Sequence, residues 1–513
     1  MASGVESLRP EHPRTRLLAE LEARLGVVSG SMDSSIRISG VSGASAETLP
    51  GDVFFALPGA KTHGATYATD ALARGAVAIV TDAAGAQLLT DIAAPVLVVD
   101  EPRALLGVTS AWLYETDTNA PEIYGVTGTN GKTTVVYLIA ALLEQMGITT
   151  GLSSTAERKI AGRIFESGLT TPESNHVHAL LALMKESAVE AVALEVSAHA
   201  LTRHRVDGVD FDVVGFTNFS HDHLDDYASL EDYFAAKAEL FGPVRAKRGV
   251  IIIDSEWGQR LADTSQIPVT TIGYEGESVD WSVSVTSRTA TNTGFMLQAQ
   301  DGRTLRSSVP MVGDYSALNA ALAIVMLLEG GHDFETISSA LSEHQGFDVS
   351  IPGRTEIVSG PRGPLVYVDY GHTPDAFEHT LAAIRRVVSG KVIMVFGADG
   401  DRDTTKREAM GAIAARGADI VVITDFHPRT EDPHAIRAAL LAGARGAQTS
   451  ADIRECADPQ AAVRLAISLA HEGDAILYAG PGHEDYRDVG SERLAYSARD
   501  DMRLALTEAG WKP

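Results

Sequence analysis

The sequence predicts an α/β protein of three domains. A length of 513 residues, at roughly 100 to 200 residues per domain, exceeds what one core organises. Runs such as VEAVALEVS and FDVVGFTN are near-continuously apolar, as in a parallel sheet buried on both faces. After about residue 350, strand and helix patterns alternate, the signature of a doubly wound sheet.

Residues 1–113 hold short apolar runs, DVFFALPG, AVAIVTD and APVLVVD, between Gly, Pro and Asp turns, and form a small mixed α/β domain. After ETDTNAP the strand EIYGVTG opens a second domain, 114–347, built on a parallel sheet and closed by the helical SALNAALAIVMLLEGG. Residues 348–513 carry KVIMVFG, KREAMGAIAARGA, DIVVITD, HAIRAALLAGA, PQAAVRLAISLAHEG and DAILYAG. Ligands of such a sheet bind beyond the carboxyl ends of its strands, which is where TDFHPRTEDP, residues 424–433, lies.

Composition narrows the function. Hydrophobic residues make up 45% and charged residues 21%, spread along the chain as in a globular protein. A net charge of -26 repels nucleic acid and anionic membrane surfaces, so an anionic ligand needs local cations and backbone N–H groups. The single cysteine, Cys456, excludes an internal disulfide and a cysteine zinc cluster and fits a reducing compartment. Neither a signal peptide nor a membrane span is legible, so a cytoplasmic protein without membrane insertion, working as a monomer, is expected.

GVTGTNGKTT, residues 125–134, follows a strand and precedes the helical TTVVYLIAALLEQMG. In that setting Gly128, Thr129, Asn130 and Gly131 turn backbone N–H groups around phosphates, Lys132 adds a point charge, and Thr133 and Thr134 open the helix. Five residues separate Gly125 from Gly131 where the commonest phosphate loop has four, so this is a variant loop.

SLEDYFAAKAELFG starts with Ser229 and Asp232 in capping-box spacing. Its apolar stripe runs through Leu230, Phe234, Leu240 and Phe241, and Lys237 falls on it. From spacing alone two readings stand: the lysine snorkels to solvent, or it is buried with a partner or a changed charge. FTNFSHDHLDDY and ALEVSAHAL end strands with His223 and Glu195, which at adjacent strand ends could ligate a divalent metal or could merely cap helices.

Together, TGTNGKTT, LEVSAHAL, FTNFSHDHLD, the Lys237 helix, IPGRTE, VDYGHTPDAF, GADGDRD and GPGHEDY resemble the Mur ligase family of peptidoglycan synthesis, in order, from about residue 38 to 488. The resemblance is to members that add the third peptide residue. It implies a UDP-substrate domain, a central P-loop ATPase-like domain and a C-terminal Rossmann-like domain that brings the amino acid. It implies ATP and Mg²⁺, small-molecule substrates, and two steps. ATP phosphorylates the D-glutamate carboxylate of UDP-N-acetylmuramoyl-L-alanyl-D-glutamate, and the amine of a diamino acid then attacks the acyl phosphate.

Carried over residue by residue, the resemblance implies a carbamate on Lys237, and Thr133, Glu195, His223 and that carbamate around magnesium, with Lys132 on the phosphates. Asn319, Arg354, Asp369 and His372 match the ATP side, and Ser45, Thr170, Thr171, Ser197 and Arg205 the UDP-muramyl dipeptide. The chain departs from the pattern at Ala44 and Ala46 beside Ser45, and at Leu169, Arg203 and His221. Rival readings are a folylpolyglutamate or cyanophycin-type ligase, or an inactive regulatory relative.

The resemblance assigns the incoming amino acid to Arg402, His427, Arg429, Gly480 and Glu484. The family form that selects meso-diaminopimelate reads Asp-Asn-Pro-Arg, and here those positions are Phe426, His427, Pro428 and Arg429. An arginine suits a second carboxylate, whereas bulky rings suit a shorter or less polar side-chain end. The expectation leans to L-lysine or a similar basic residue over meso-diaminopimelate.

Overall fold

A computed structural model describes residues 8–30, 33, 35–118, 120–222 and 226–512. The strand expected to lead to His223 ends at Phe216, and His223 lies outside the described residues.

The first sheet has four strands, Gly40–Ser42, Asp52–Ala56, Ala78–Thr81 and Val96–Val98, parallel and in chain order. Their apolar side chains split into two clusters, one closed by Leu106 and Leu113 of the helix Pro102–Tyr114. That helix leads into the next domain.

The second sheet is not wholly parallel, which corrects the expectation. Its middle runs parallel through Thr150–Ser153, Ala191–Glu195, Glu122–Thr127, Phe211–Phe216, Ala246–Ile252, Val269–Tyr274 and Trp281–Arg288. Antiparallel strands extend both edges: Glu157–Ile160 and Arg163–Glu166 on one side, Thr293–Ala299 and Thr304–Val309 on the other. Glu157–Ile160 and Thr304–Val309 mix buried residues with more exposed ones and so lack the continuous apolar runs of the centre. Helices Lys132–Gln145 and Asp314–Glu329 cover one face of the sheet, and Ser174–Glu186 and Leu230–Ala238 the other.

The third sheet follows the expected alternation. Its order is Glu356–Ile357, Leu365–Asp369, Ala475–Ala479, Val392–Phe396, Ile420–Ile423 and Asp452–Glu455, parallel except for the first strand. Helices Pro374–Val387, Arg407–Gly417 and Pro433–Gly446 pack on one face, and Pro459–Leu469 and Ala498–Glu508 on the other. No helix among the described residues is long and apolar enough to cross a membrane.

Candidate functional site

The carboxyl ends of the second and third sheets face one another across a cleft of about 970 Å³. The phosphate loop and Glu195 form one wall, and Asp369, Arg402, the 426–429 loop, Gly480 and Glu484 the other.

The loop is pinned from the neighbouring strand end. Thr129 N–H donates to Asn218 O at 2.9 Å, Asn130 N–H to Asn218 Oδ1 at 2.9 Å, and Thr217 Oγ1 to Asn130 O at 2.6 Å. Gly128 and Gly131 have φ of 142° and 85°, and a Cβ on Gly128 would sit 1.9 Å from Thr217 Oγ1. Asn319 backs the loop, where a Cβ on Gly131 would meet its Oδ1 at 2.9 Å. Thr134, the third residue of helix Lys132–Gln145, lines the cleft.

Lys132 Nζ donates to Gly128 O at 3.1 Å and Thr129 O at 2.9 Å and lies 4.0 Å from Glu195. Glu195 is 3% exposed. Its Oε2 accepts from Thr133 Oγ1 and Thr155 N, each at 2.9 Å. A buried carboxylate beside a threonine hydroxyl and a phosphate loop is the hard oxygen donor set that Mg²⁺ takes, so these residues fit the ion. The sequence placed Glu195 and His223 at adjacent strand ends, but the Glu122–Thr127 strand, which carries the phosphate loop, lies between the strands Ala191–Glu195 and Phe211–Phe216.

Lys237 is 1% exposed, so the solvent-snorkelling reading falls. Ser229 caps its helix, its Oγ accepting from Asp232 N at 3.1 Å. Unmodified, Lys237 Nζ donates to Gly128 O at 2.8 Å and stands 4.4 Å from the Tyr233 ring centroid. Burial, and then the charge of Lys132, hold its ammonium well below the ordinary lysine range.

The third domain reaches across to the phosphate loop. Arg354 Nη2 donates to Thr133 Oγ1 at 2.9 Å while its guanidinium stacks 4.4 Å over Tyr370. Asp375 accepts from Asn130 Nδ2 at 3.0 Å, and Lys406 Nζ lies 3.3 Å from Asp222. Asp369 and His372 line the cleft, yet Asp369 spends its carboxylate on the Thr355 and Gly371 N–H groups, both at 2.7 Å. His372 Nδ1 pairs with Tyr370 O at 2.9 Å rather than with Asp369.

Of the residues matched to the muramyl dipeptide, Thr170, Ser197 and Arg205 line the cleft. Thr171 sits just behind, its hydroxyl donating to Glu195 O at 2.8 Å. Ser197 caps the short helix after it. Arg205 Nη2 pairs with Glu173 at 2.8 Å. Ser45 lies outside this cleft, in the first domain, with its hydroxyl on Asp70.

Arg402, His427, Arg429, Gly480 and Glu484, expected at the incoming amino acid, share the opposite wall with Phe426. The sequence reading missed what braces them. The hairpin Tyr486–Val489 and Glu492–Ala495 docks on the 426–429 loop: Arg487 Nε donates to Phe426 O at 2.9 Å, Arg429 N to Asp488 O at 3.1 Å, and Gly490 N to Arg429 O at 2.7 Å. Thr155, Tyr370 and Asp399 were also missed. Each acts through a contact far along the chain, for which no local pattern exists.

Comparison with known proteins agrees in extent and order. Models of the Mur ligase family catalytic domain, the Mur ligase middle domain and the Mur ligase glutamate ligase domain match residues 37–112, 126–327 and 353–482. The chain is 58% identical over 507 residues, 98% of each chain, to a UDP-N-acetylmuramyl-tripeptide synthetase of Leifsonia xyli subsp. xyli. It is 40% identical, over 97% of this chain and 98% of the relative, to a UDP-N-acetylmuramoyl-L-alanyl-D-glutamate--2,6-diaminopimelate ligase of Streptomyces coelicolor. A solved structure of a ligase with that second name superposes with a TM-score of 0.64 at 28% identity, covering 94% of this chain and 97% of the other.

Proposed function

The chain belongs to the Mur ligase family of ATP-dependent ligases, and from that premise we propose that it adds the third amino acid, a diamino acid, to UDP-N-acetylmuramoyl-L-alanyl-D-glutamate. The observation that carries the reading is a single cleft with a phosphate loop on one wall and arginine and glutamate side chains on the other, joined by Arg354 on Thr133.

The chemistry asks for charge management rather than a nucleophile. Two anions, the substrate carboxylate and the ATP γ-phosphate, must meet. Lys132 and the loop N–H groups cradle the phosphates, and Arg354 brings a second cation from the other domain. Thr133, Glu195, His223 and a carbamate on Lys237 would hold Mg²⁺, which when bound neutralises charge gathering on the phosphate oxygens. The depressed Lys237 favours the carbamate, because the uncharged amine is the form that adds carbon dioxide, its nitrogen bonding the carbon and losing a proton. The amine of the incoming residue then displaces phosphate from the acyl phosphate, giving an amide.

Ser45, Thr170, Thr171, Ser197 and Arg205 would hold the UDP-muramyl dipeptide, Asn319, Asp369 and His372 the nucleotide, and Arg402, His427, Arg429, Gly480 and Glu484 the amino acid. We take the added residue to be L-lysine or a similar basic diamino acid. A second reading, meso-diaminopimelate, is favoured by the retained Arg429 and by the name of the Streptomyces relative.

The test incubates the pure protein with ATP, Mg²⁺, UDP-muramyl dipeptide and a panel of diamino acids, and reads phosphate release and product mass. Amino-acid-dependent release is expected, and its absence with every member of the panel overturns the reading.

A further inference from the structure

In the first domain the loop 43–47, which carries Ser45, follows the strand Gly40–Ser42. Up to Glu47 its side chains are small: Gly43, Ala44, Ser45 and Ala46. Ser42 Oγ and Thr48 Oγ1, both buried and 2.9 Å apart, close its base. Much of the remaining hold comes from outside, through backbone carbonyls. Arg9 reaches both ends of the loop, its Nη2 donating to Val41 O at 3.4 Å and to Glu47 O at 3.3 Å. Arg9 Nη1 pairs with Asp52 at 2.6 Å, and Asp52 is 1% exposed, so the pair is rooted in the domain core. Arg74 Nη1 donates to Ala46 O at 3.3 Å. From the second domain, Asn175 Nδ2 donates to Val41 O at 3.4 Å and His176 Nε2 lies 2.9 Å from Glu47.

The chain on either side of Arg9 sits on the second domain. Leu8 packs against that domain's core. The N–H groups of Glu11 and His12 donate to the carboxylate of Glu186, the last residue of helix Ser174–Glu186, at 2.7 and 3.1 Å. Residues 8–12 are thus a strap seated on the second domain, with the side chain of Arg9 inserted into the first.

On the ligase reading one substrate molecule runs from Ser45 in the first domain to Thr170, Ser197 and Arg205 in the second. The loop then has to be fixed relative to both domains. Arg9 meets that need with a planar fork, one nitrogen serving two carbonyls and the other a carboxylate, a span that the single nitrogen of a lysine does not cover.

Resting on the ligase reading and deepening it, we infer that Arg9 is a positioning residue for the UDP-muramyl substrate, setting the loop that bears Ser45 in place against the second domain. It acts through the loop backbone and not on the substrate.

The test compares the natural protein, Arg9→Lys and Glu186→Ala as full chains. Phosphate release with the diamino acid the panel selects gives kcat, and KM for UDP-muramyl dipeptide and for ATP. Calorimetry reads binding of UDP-muramyl dipeptide. Hydrogen exchange reads the amides of residues 43–48, where Glu47 N donates to Ala44 O and Thr48 N to Ser45 O. Arg9→Lys should raise KM and weaken binding for UDP-muramyl dipeptide about tenfold, leaving kcat and KM for ATP within about twofold, and should speed exchange at 43–48 about tenfold. Glu186→Ala is an exposed change that leaves the Asp52 pair intact. It should give the same pattern at about threefold, and it decides the matter if Arg9→Lys does not fold. Unchanged substrate affinity, or a loss that falls equally on ATP or on kcat, overturns the inference, since a merely structural role gives those results. Absence of release with every amino acid overturns the ligase reading instead. Exchange at 43–48 then decides the hold of Arg9 on the loop: faster exchange in the variants upholds it, and unchanged exchange overturns it.

Discussion

Lys237 Nζ and Lys132 Nζ donate to the same carbonyl, Gly128 O, at 2.8 and 3.1 Å. Two cations on one buried acceptor repel each other, and turning Lys237 into a carbamate replaces that repulsion by attraction to Lys132 and to a metal beside Glu195. Lys237→Ala should therefore lower kcat by about a hundredfold or more, and acetate or formate, small carboxylates that can enter the vacated space, should restore part of it. Phosphate release with and without the added acid checks this, and an unchanged kcat refutes the role.

Arg354 joins the domains through two features a lysine lacks, a planar face over Tyr370 and a fork directed at Thr133. Arg354→Lys should keep the charge and still lower kcat/KM for ATP by at least about tenfold. Steady-state kinetics against ATP measures it, and a variant equal to the natural protein would show that charge alone suffices.

The two walls of this cleft differ in how far the sequence revealed them. The phosphate loop was legible because strand, glycines, lysine and helix are contiguous, whereas helical spacing put Lys237 on an apolar stripe but left its burial open. The amino-acid wall was legible only in part. His427, Arg429 and Glu484 were named, but not their contacts: Arg429 meets Asp399, 30 residues before it, and Glu484 meets His427, 57 before it. The antiparallel edge strands escaped for a related reason: Glu157–Ile160 and Thr304–Val309 are specified by their pairing, and their partly exposed faces read like loops.

Gly128 tests how tightly the loop is built. Its φ of 142° disfavours any side chain, and a Cβ there would overlap the Thr217 hydroxyl, which holds the loop through Asn130 O. Gly128→Ala should destabilise the protein by about 2 kcal/mol or more, and should weaken ATP binding because the displaced loop carries Lys132. Thermal unfolding and nucleotide titration read the two effects separately. A variant with natural stability and natural ATP affinity would show that the loop yields easily.

His178 gives the stability of the protein a dependence on mild acid. It is fully buried between the first two domains, with Nε2 donating to Asp207 O at 2.9 Å and Nδ1 taking the Thr116 hydroxyl at 2.6 Å. Burial pushes its imidazole down from 6.5 to about 4. Between these values the unfolded chain binds a proton that the folded chain refuses, so stability falls as pH drops from 6.5 toward 4 and rises again as pH is restored. A shift of that size corresponds to about 3 kcal/mol at full effect, complete below the folded value. His178→Gln, which does not titrate, should cost stability at neutral pH by disturbing the buried hydrogen bonds. It should also flatten the loss between neutral pH and pH 4, so that the two proteins converge in acid. Urea midpoints measured across this range decide the matter, and parallel curves for the two proteins would refute the assignment.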